Sequence, residues 1–102
     1  MINKLPIFIL VGPPAVGKST TSRALATRFG RSVHISVDDL REMVVSGLLL
    51  PGAVWSAELA EQIAIARNNA TQITGNYHSA GFCVVVDDFW DLNFQADYHE
   101  LL

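Results

Sequence analysis

The sequence predicts an α/β fold: a three-layer sandwich with helices on both faces of a parallel sheet. Three observations point to it. Short unbroken apolar runs, "IFILV" at 7–11 and "FCVVV" at 82–86, have the composition of strands buried on both faces. The segments between such runs carry apolar residues at helical spacing. Strand and helix patterns alternate, as they must where parallel neighbours are joined by crossover helices.

Composition limits what such a chain can be. At 102 residues it is one domain at most, spanning 1–102, and with half its residues apolar and 17% charged it has the make-up of a core-forming protein. A net charge of −3 gives no general electrostatic reason to bind nucleic acid or an anionic membrane. The single cysteine, Cys83, rules out an intrachain disulfide and points to a reduced, cytoplasmic setting with the thiol in the core. The apolar run at 5–11 is broken by Pro6 and ends at Gly12-Pro13-Pro14 without a small-residue cleavage site, so it reads as a strand and not as a secretory signal. No stretch approaches the roughly 18 unbroken apolar residues of a membrane helix.

The elements follow in order. A buried strand at 7–11 leads into a glycine-rich turn. A helix is expected from Lys18 to Phe29, with Ala24, Leu25, Ala26 and Phe29 inward, Arg23 and Arg28 outward, and Gly30 as its stop. "SVHISV" at 32–37 alternates with period two and predicts a second strand; "DDLREMVVSG" begins a short helix that Gly47 closes. After the linker "LLLPGAVW", a long helix is expected from a Ser56 cap to about Ser79. Its inner face would carry Leu59, Ile63, Ala66, Ala70 and Ile73, leaving Glu58, Glu61, Arg67 and Asn68 largely outside. The third strand, 82–86, ends at Asp87-Asp88, and "NFQADYHELL" resembles a helix start. Three parallel strands leave an open apolar edge, so the expectation is the N-terminal portion of a larger domain, or an edge covered by a partner such as a second copy.

"GPPAVGKST" at 12–20 fits the spacing G-x-x-x-x-G-K-[ST] through Gly12, Gly17, Lys18 and Ser19. It follows a predicted strand and opens a predicted helix, the context in which this loop binds phosphate. Backbone N–H groups from Ala15 through Val16, Gly17, Lys18 and Ser19 to Thr20 would converge on anionic oxygens, helped by the positive end of the helix dipole. Pro13 and Pro14 have no N–H and stiffen the entry. Ala15 stands where many such loops carry glycine, and would be strained if that position needs positive φ. Lys18 would reach the β- and γ-phosphates, and the Ser19 hydroxyl would help to hold Mg²⁺.

The acid pair that ends the third strand belongs to the same rim, because ligands of open α/β sheets gather at the C-terminal strand ends. Asp87 is the expected second element of the Mg²⁺ site, with Asp88 as the acid that could replace it. Asp38, after the second strand, opens on that rim too, where a carboxylate can accept the proton of an attacking hydroxyl. Arg41, one helical turn on, offers a fork to an anionic group of the acceptor. Capping explains the pair differently: Asp38 as the N-cap of the short helix, or Ser36 as the cap with Asp39 three positions on. Both roles can coexist, Asp39 serving the helix start and Asp38 the chemistry.

Together, "GPPAVGKST", "HISVDDLRE" and "AGFCVVVDD" resemble the N-terminal half of the P-loop kinases that include chloramphenicol phosphotransferases, zeta toxins and the 5′-kinase domain of polynucleotide kinases. The resemblance covers nearly the whole chain. It implies a P-loop NTPase fold with five parallel strands in the order 2-3-1-4-5, an arginine-bearing lid and an adenine-contacting loop, ATP and Mg²⁺ as cofactors, and the general-base role for Asp38. The Asp-Asp-x-Arg of polynucleotide kinases is matched by Asp38, Asp39, Leu40 and Arg41. After the third strand the chain departs from these relatives, with Phe89-Trp90-Asp91 where they tend to have an Asn.

The resulting expectation is an ATP-dependent phosphotransferase whose acceptor is a small molecule bearing a hydroxyl. Its rivals are a polynucleotide 5′-kinase and an ATP-binding or ATP-hydrolysing module that transfers nothing. His34, His78 and His99 show no metal-site spacing and receive no chemistry. Trp55 and Trp90 are expected to pack.

Overall fold

The computed structural model describes residues 5–12, 18–50, 52 and 54–102. Three parallel strands, β1 (Ile7–Val11), β2 (Ser32–Ser36) and β3 (Cys83–Asp88), stand in the order β1-β3-β2. This is the relative order that the resemblance implies for the first three of five strands. The helices are α1 (Lys18–Ala26), α2 (Val37–Arg41), α3 (Ala57–Ser79) and α4 (Phe94–Asp97). Among the described residues no helix is long and apolar enough to cross a membrane.

Strand alternation sorts the core into two layers. Val84 and Val86 of β3 pack with Ile35, Val37, Ala66 and Ala70 on the side covered by α3, joined by Ile9 and Val33. Cys83 and Val85 pack with Ala26, Phe8 and Leu10 on the side covered by α1. Successive strand residues point to opposite faces, so a central strand must be apolar at every position until it leaves the core. Burying each of Val84, Val85 and Val86 in this way stabilises the fold by about 1.5–3 kcal/mol.

Several boundaries differ from the sequence reading, each for a physical reason. β3 does not end before its acids: Asp87 and Asp88 continue the ladder opposite Leu10 and Val11, and both are buried because their carboxylates find partners. β2 stops at Ser36, since Val37 already begins α2 and turns its side chain into the core. α1 ends at Ala26 and passes into a turn, with Arg28 and Phe29 donating to Leu25 and Ala26. α2 lasts only to Arg41. Beyond it Gly47, at a φ of +89° that suits glycine, is held with Leu49 against α3 by the side-chain amide of Gln62. The final helix is the short segment α4.

α3 starts where expected, its Ser56 hydroxyl accepting from the Leu59 N–H at 3.0 Å. Its inner face carries Leu59, Ile63, Ala66 and Ala70 as predicted and a partly buried Ile73, but Thr71 and Thr74 are buried too, and Arg67, expected outside, is fully buried.

Candidate functional site

The C-terminal ends of the three strands form one rim. The Gly12 N–H donates to the Asp88 carbonyl at 3.2 Å, fixing the chain as it enters the phosphate-binding loop beside the end of β3. Ala15, Val16 and Gly17 lie outside the described residues. Lys18, Ser19 and Thr20 form the first turn of α1. The Ser19 hydroxyl lies 3.4 Å from Asp87 Oδ2, bringing together two residues 68 positions apart.

That pair is the test of whether Mg²⁺ suits the site. A hydroxyl and a carboxylate are hard oxygen donors, and Mg²⁺ in nucleotide sites uses one or two such groups together with water and phosphate. Among the described residues there is no cluster of three or more His, Cys, Asp or Glu able to hold a metal, so any cation here depends on phosphate and water for its remaining ligands. Ser19 and Asp87 fit that pattern.

Asp87 has a partner that the sequence did not reveal. His34, on the same face of the sheet as Asp87, hydrogen-bonds to its carboxylate through Nε2. Spacing along the chain gives this histidine no chemistry, because it says nothing of cross-strand neighbours. The signal was present in the alternation: His34 follows Val33 and precedes Ile35, which face α3, so it must face α1 with Asp87.

Asp88 points the other way. Its Oδ2 accepts from Arg67 Nε at 2.7 Å and from the Tyr98 hydroxyl at 2.7 Å, and its Oδ1 accepts from the Phe89 N–H at 2.7 Å. With its carboxylate thus engaged, Asp88 faces away from Ser19, which leaves Asp87 as the acid beside the Ser19 hydroxyl.

Arg67 is the centre of this buried assembly. Beyond Asp88 it donates to Asp91 at 2.9 Å, to Asp97 at 3.0 Å and to the Phe89 carbonyl at 2.9 Å. The rings of Phe89, Phe94 and Tyr98 surround its guanidinium at 5.3–5.5 Å. Burial alone would lower its pKa, but the hydrogen bonds and charge of Asp88, with Asp91 and Asp97, outweigh that and raise it. Tyr98 is also pushed up, by burial and by the adjacent Asp88 charge, so its hydroxyl stays protonated as the donor that Asp88 needs. A charged side chain at α3 position 67 was placed outside by helical spacing, which records polarity but not pairing. The run of acids at 87, 88, 91 and 97 was the available clue.

On the β2 side, Ser36 lies opposite Asp87 in the ladder. Ser36 is the N-cap residue of α2 but makes no side-chain cap bond, so the Ser36–Asp39 capping arrangement does not form. Asp38 and Asp39 occupy the first helical turn, where the helix dipole favours carboxylates. Asp39 is exposed; the Asp38 side chain is 45% exposed, unlike the buried Asp87 and Asp88. Arg41 is on the same face as Asp38 but is buried, with Nη1 3.3 Å from the Asp38 carboxylate and Nη2 donating to the Leu49 carbonyl at 3.0 Å. Its guanidinium is therefore partly committed to holding the α2 region together.

The tryptophans also differ from expectation. Trp55 and Trp90 do not pack into the core: they are 51% and 61% exposed. Cys83, by contrast, is buried as predicted, and burial pushes its thiol pKa up, away from thiolate chemistry.

A family model described as an AAA domain matches residues 7–90, from the first residue of β1 to just past the end of β3. The match takes in every rim residue described above. With the strand order, the Ser19–Asp87 pair and the G-x-x-x-x-G-K-[ST] loop in agreement, the chain belongs to this AAA domain family and is a P-loop nucleotide-binding module.

Proposed function

We propose that the protein is a kinase that moves the γ-phosphoryl group of ATP to a hydroxyl of a small molecule. The observation that supports this best is the placement of Asp38. Two residues beyond the position opposite Asp87, on a rim whose strand-end acids Asp87 and Asp88 are buried and paired, it keeps a half-exposed carboxylate. A hydrolase needs only to orient water, whereas a solvent-facing acid on a separate short helix is suited to meet a second substrate.

In this reading Lys18 and the N–H groups at the start of α1 bind the phosphates. Ser19 and Asp87 hold Mg²⁺, which when bound neutralises charge on the phosphate oxygens. Asp38 takes the proton of the acceptor hydroxyl as its oxygen bonds to the γ-phosphorus and the bond to the β-phosphate bridging oxygen breaks, releasing ADP. Arg41 works on the acceptor side by fixing the Asp38 carboxylate. His34 orients Asp87 from the neighbouring strand, as partners of metal-binding groups commonly do.

The test is ADP release from Mg·ATP across a panel of hydroxyl-bearing small molecules. Acceleration by an acceptor, with a phosphorylated product in stoichiometric amount, is the expected result. Turnover that no acceptor changes would identify a hydrolytic or binding module instead.

A further inference from the structure

The chain has two tryptophans, and both line the same cleft. Trp55 comes from the segment before α3 and Trp90 from the segment after β3; with Asp91, Leu92 and Asn93 they enclose about 280 Å³. Each indole is more than half exposed, whereas the aromatic residues just beyond, Phe94 and Tyr98, are buried. Two indoles open to solvent on one cleft form an exposed aromatic surface and are not part of the core.

The charge beside the cleft indicates which ligand. Among the described residues Arg67 is the one cation that Asp88, Asp91 and Asp97 share, so three carboxylates face a single guanidinium. The Tyr98 hydroxyl remains neutral and does not change the balance. Asp91 is where this excess reaches the cleft: it lines the cleft with its side chain 12% exposed, and its Oδ1 accepts from Arg67 and from the Asn93 N–H, both at 2.9 Å. Three carboxylates against one guanidinium leave the wall of the cleft net negative, and that field attracts positive charge. A metal ion would need several oxygen ligands, and the lining supplies one carboxylate and one side-chain amide beside two indoles and a leucine. Indole faces instead suit a weakly hydrated organic cation, and the cleft lies near the lower size limit of small-molecule sites.

We infer that the Trp55–Trp90 cleft binds an organic ammonium group, tertiary or quaternary, held between the indoles and the Asp91 carboxylate. The site adjoins the rim: Phe89, next to Trp90, lies 6.0 Å from the Arg41 guanidinium and 5.3 Å from that of Arg67. That the ammonium belongs to the phosphoryl acceptor, making it an amino alcohol, rests on the kinase reading; the binding itself does not.

Because every tryptophan of the chain is in the cleft, intrinsic fluorescence reports its occupancy without nucleotide or turnover. The probes are choline and its neutral isostere 3,3-dimethylbutan-1-ol, titrated into the full chain. Choline is expected to give a saturable change about tenfold tighter than the isostere. Trp55→Leu and Trp90→Leu, at exposed positions that leave the core intact, should each weaken choline severalfold as read by the remaining tryptophan. Asp91→Asn should remove the preference for the cation. Equal affinity for the two probes, no saturable change, or tighter binding of a neutral flat ring such as adenine would overturn the inference. Phosphoryl transfer tests the kinase reading separately, since the titration contains no ATP.

Discussion

Asp87 and Asp88 are adjacent in β3 yet serve opposite faces of the sheet, Asp87 meeting Ser19 and His34 on the α1 side and Asp88 meeting Arg67 and Tyr98 on the α3 side. One strand end thus supplies a polar group to the nucleotide rim and a buried anchor behind it. The two acids should separate cleanly on mutation. Asp87→Asn should leave the unfolding midpoint nearly unchanged and weaken the Mg²⁺ dependence of ATP binding about tenfold or more, measured by calorimetry with and without Mg²⁺. Asp88→Asn should do the reverse, lowering stability first. Equivalent phenotypes for the two would contradict the division.

Arg67 gives the largest expected stability effect. Replacing it with Met leaves Asp88 buried without its guanidinium partner, and breaking a buried pair from one side costs about 3–5 kcal/mol. Urea denaturation should show that loss. Arg67→Lys should recover only part of it, because one ammonium cannot reach Asp88, Asp91, Asp97 and the Phe89 carbonyl from a single point. A Met variant within 1 kcal/mol of the parent, on the order of an exposed ion pair, would show that the assembly contributes little.

Alkaline pH should reveal Tyr98. Its pKa is raised in the folded chain, so above the ordinary tyrosine value of 10.0 the unfolded chain releases a proton that the folded chain keeps. The Tyr98 contribution to stability is therefore complete below pH 10.0 and is lost as pH rises further; Cys83, raised from 9.0, adds a decline of the same sign that begins earlier. Tyr98→Phe should lower stability at neutral pH through the lost bond to Asp88, and should flatten the slope above pH 10.0 in chemical denaturation. An unchanged slope would mean that Tyr98 does not hold its proton.

Much of this architecture was legible because it rests on periodicity. The runs at 7–11 and 82–86, the Ser56 cap and the inner face of α3 are patterns in which each residue's polarity reports its own burial. The phosphate-binding loop was legible because its function needs a fixed spacing. What escaped were residues whose place depends on a partner far away in sequence. Arg67 is buried because acids 21, 24 and 30 residues later enclose it, and His34 matters because β2 lies beside β3. Asp87 and Asp88 extended β3 for the same reason: paired carboxylates behave as core residues. Hydrophobicity alone predicts that Trp55 and Trp90 pack, but that property does not distinguish a core indole from one that lines a cleft.

The central claim is that Asp38 receives the acceptor's proton, and Asp38→Asn tests it most directly. Asparagine keeps the size and the hydrogen-bonding oxygen while losing the base, and Asp38 is outside the Ser19–Asp87 pair. Phosphoryl transfer to a hydroxyl acceptor should fall by at least about 10²-fold, while Mg·ATP affinity by calorimetry stays within about twofold of the parent. Transfer at the parental rate by this variant would contradict the account.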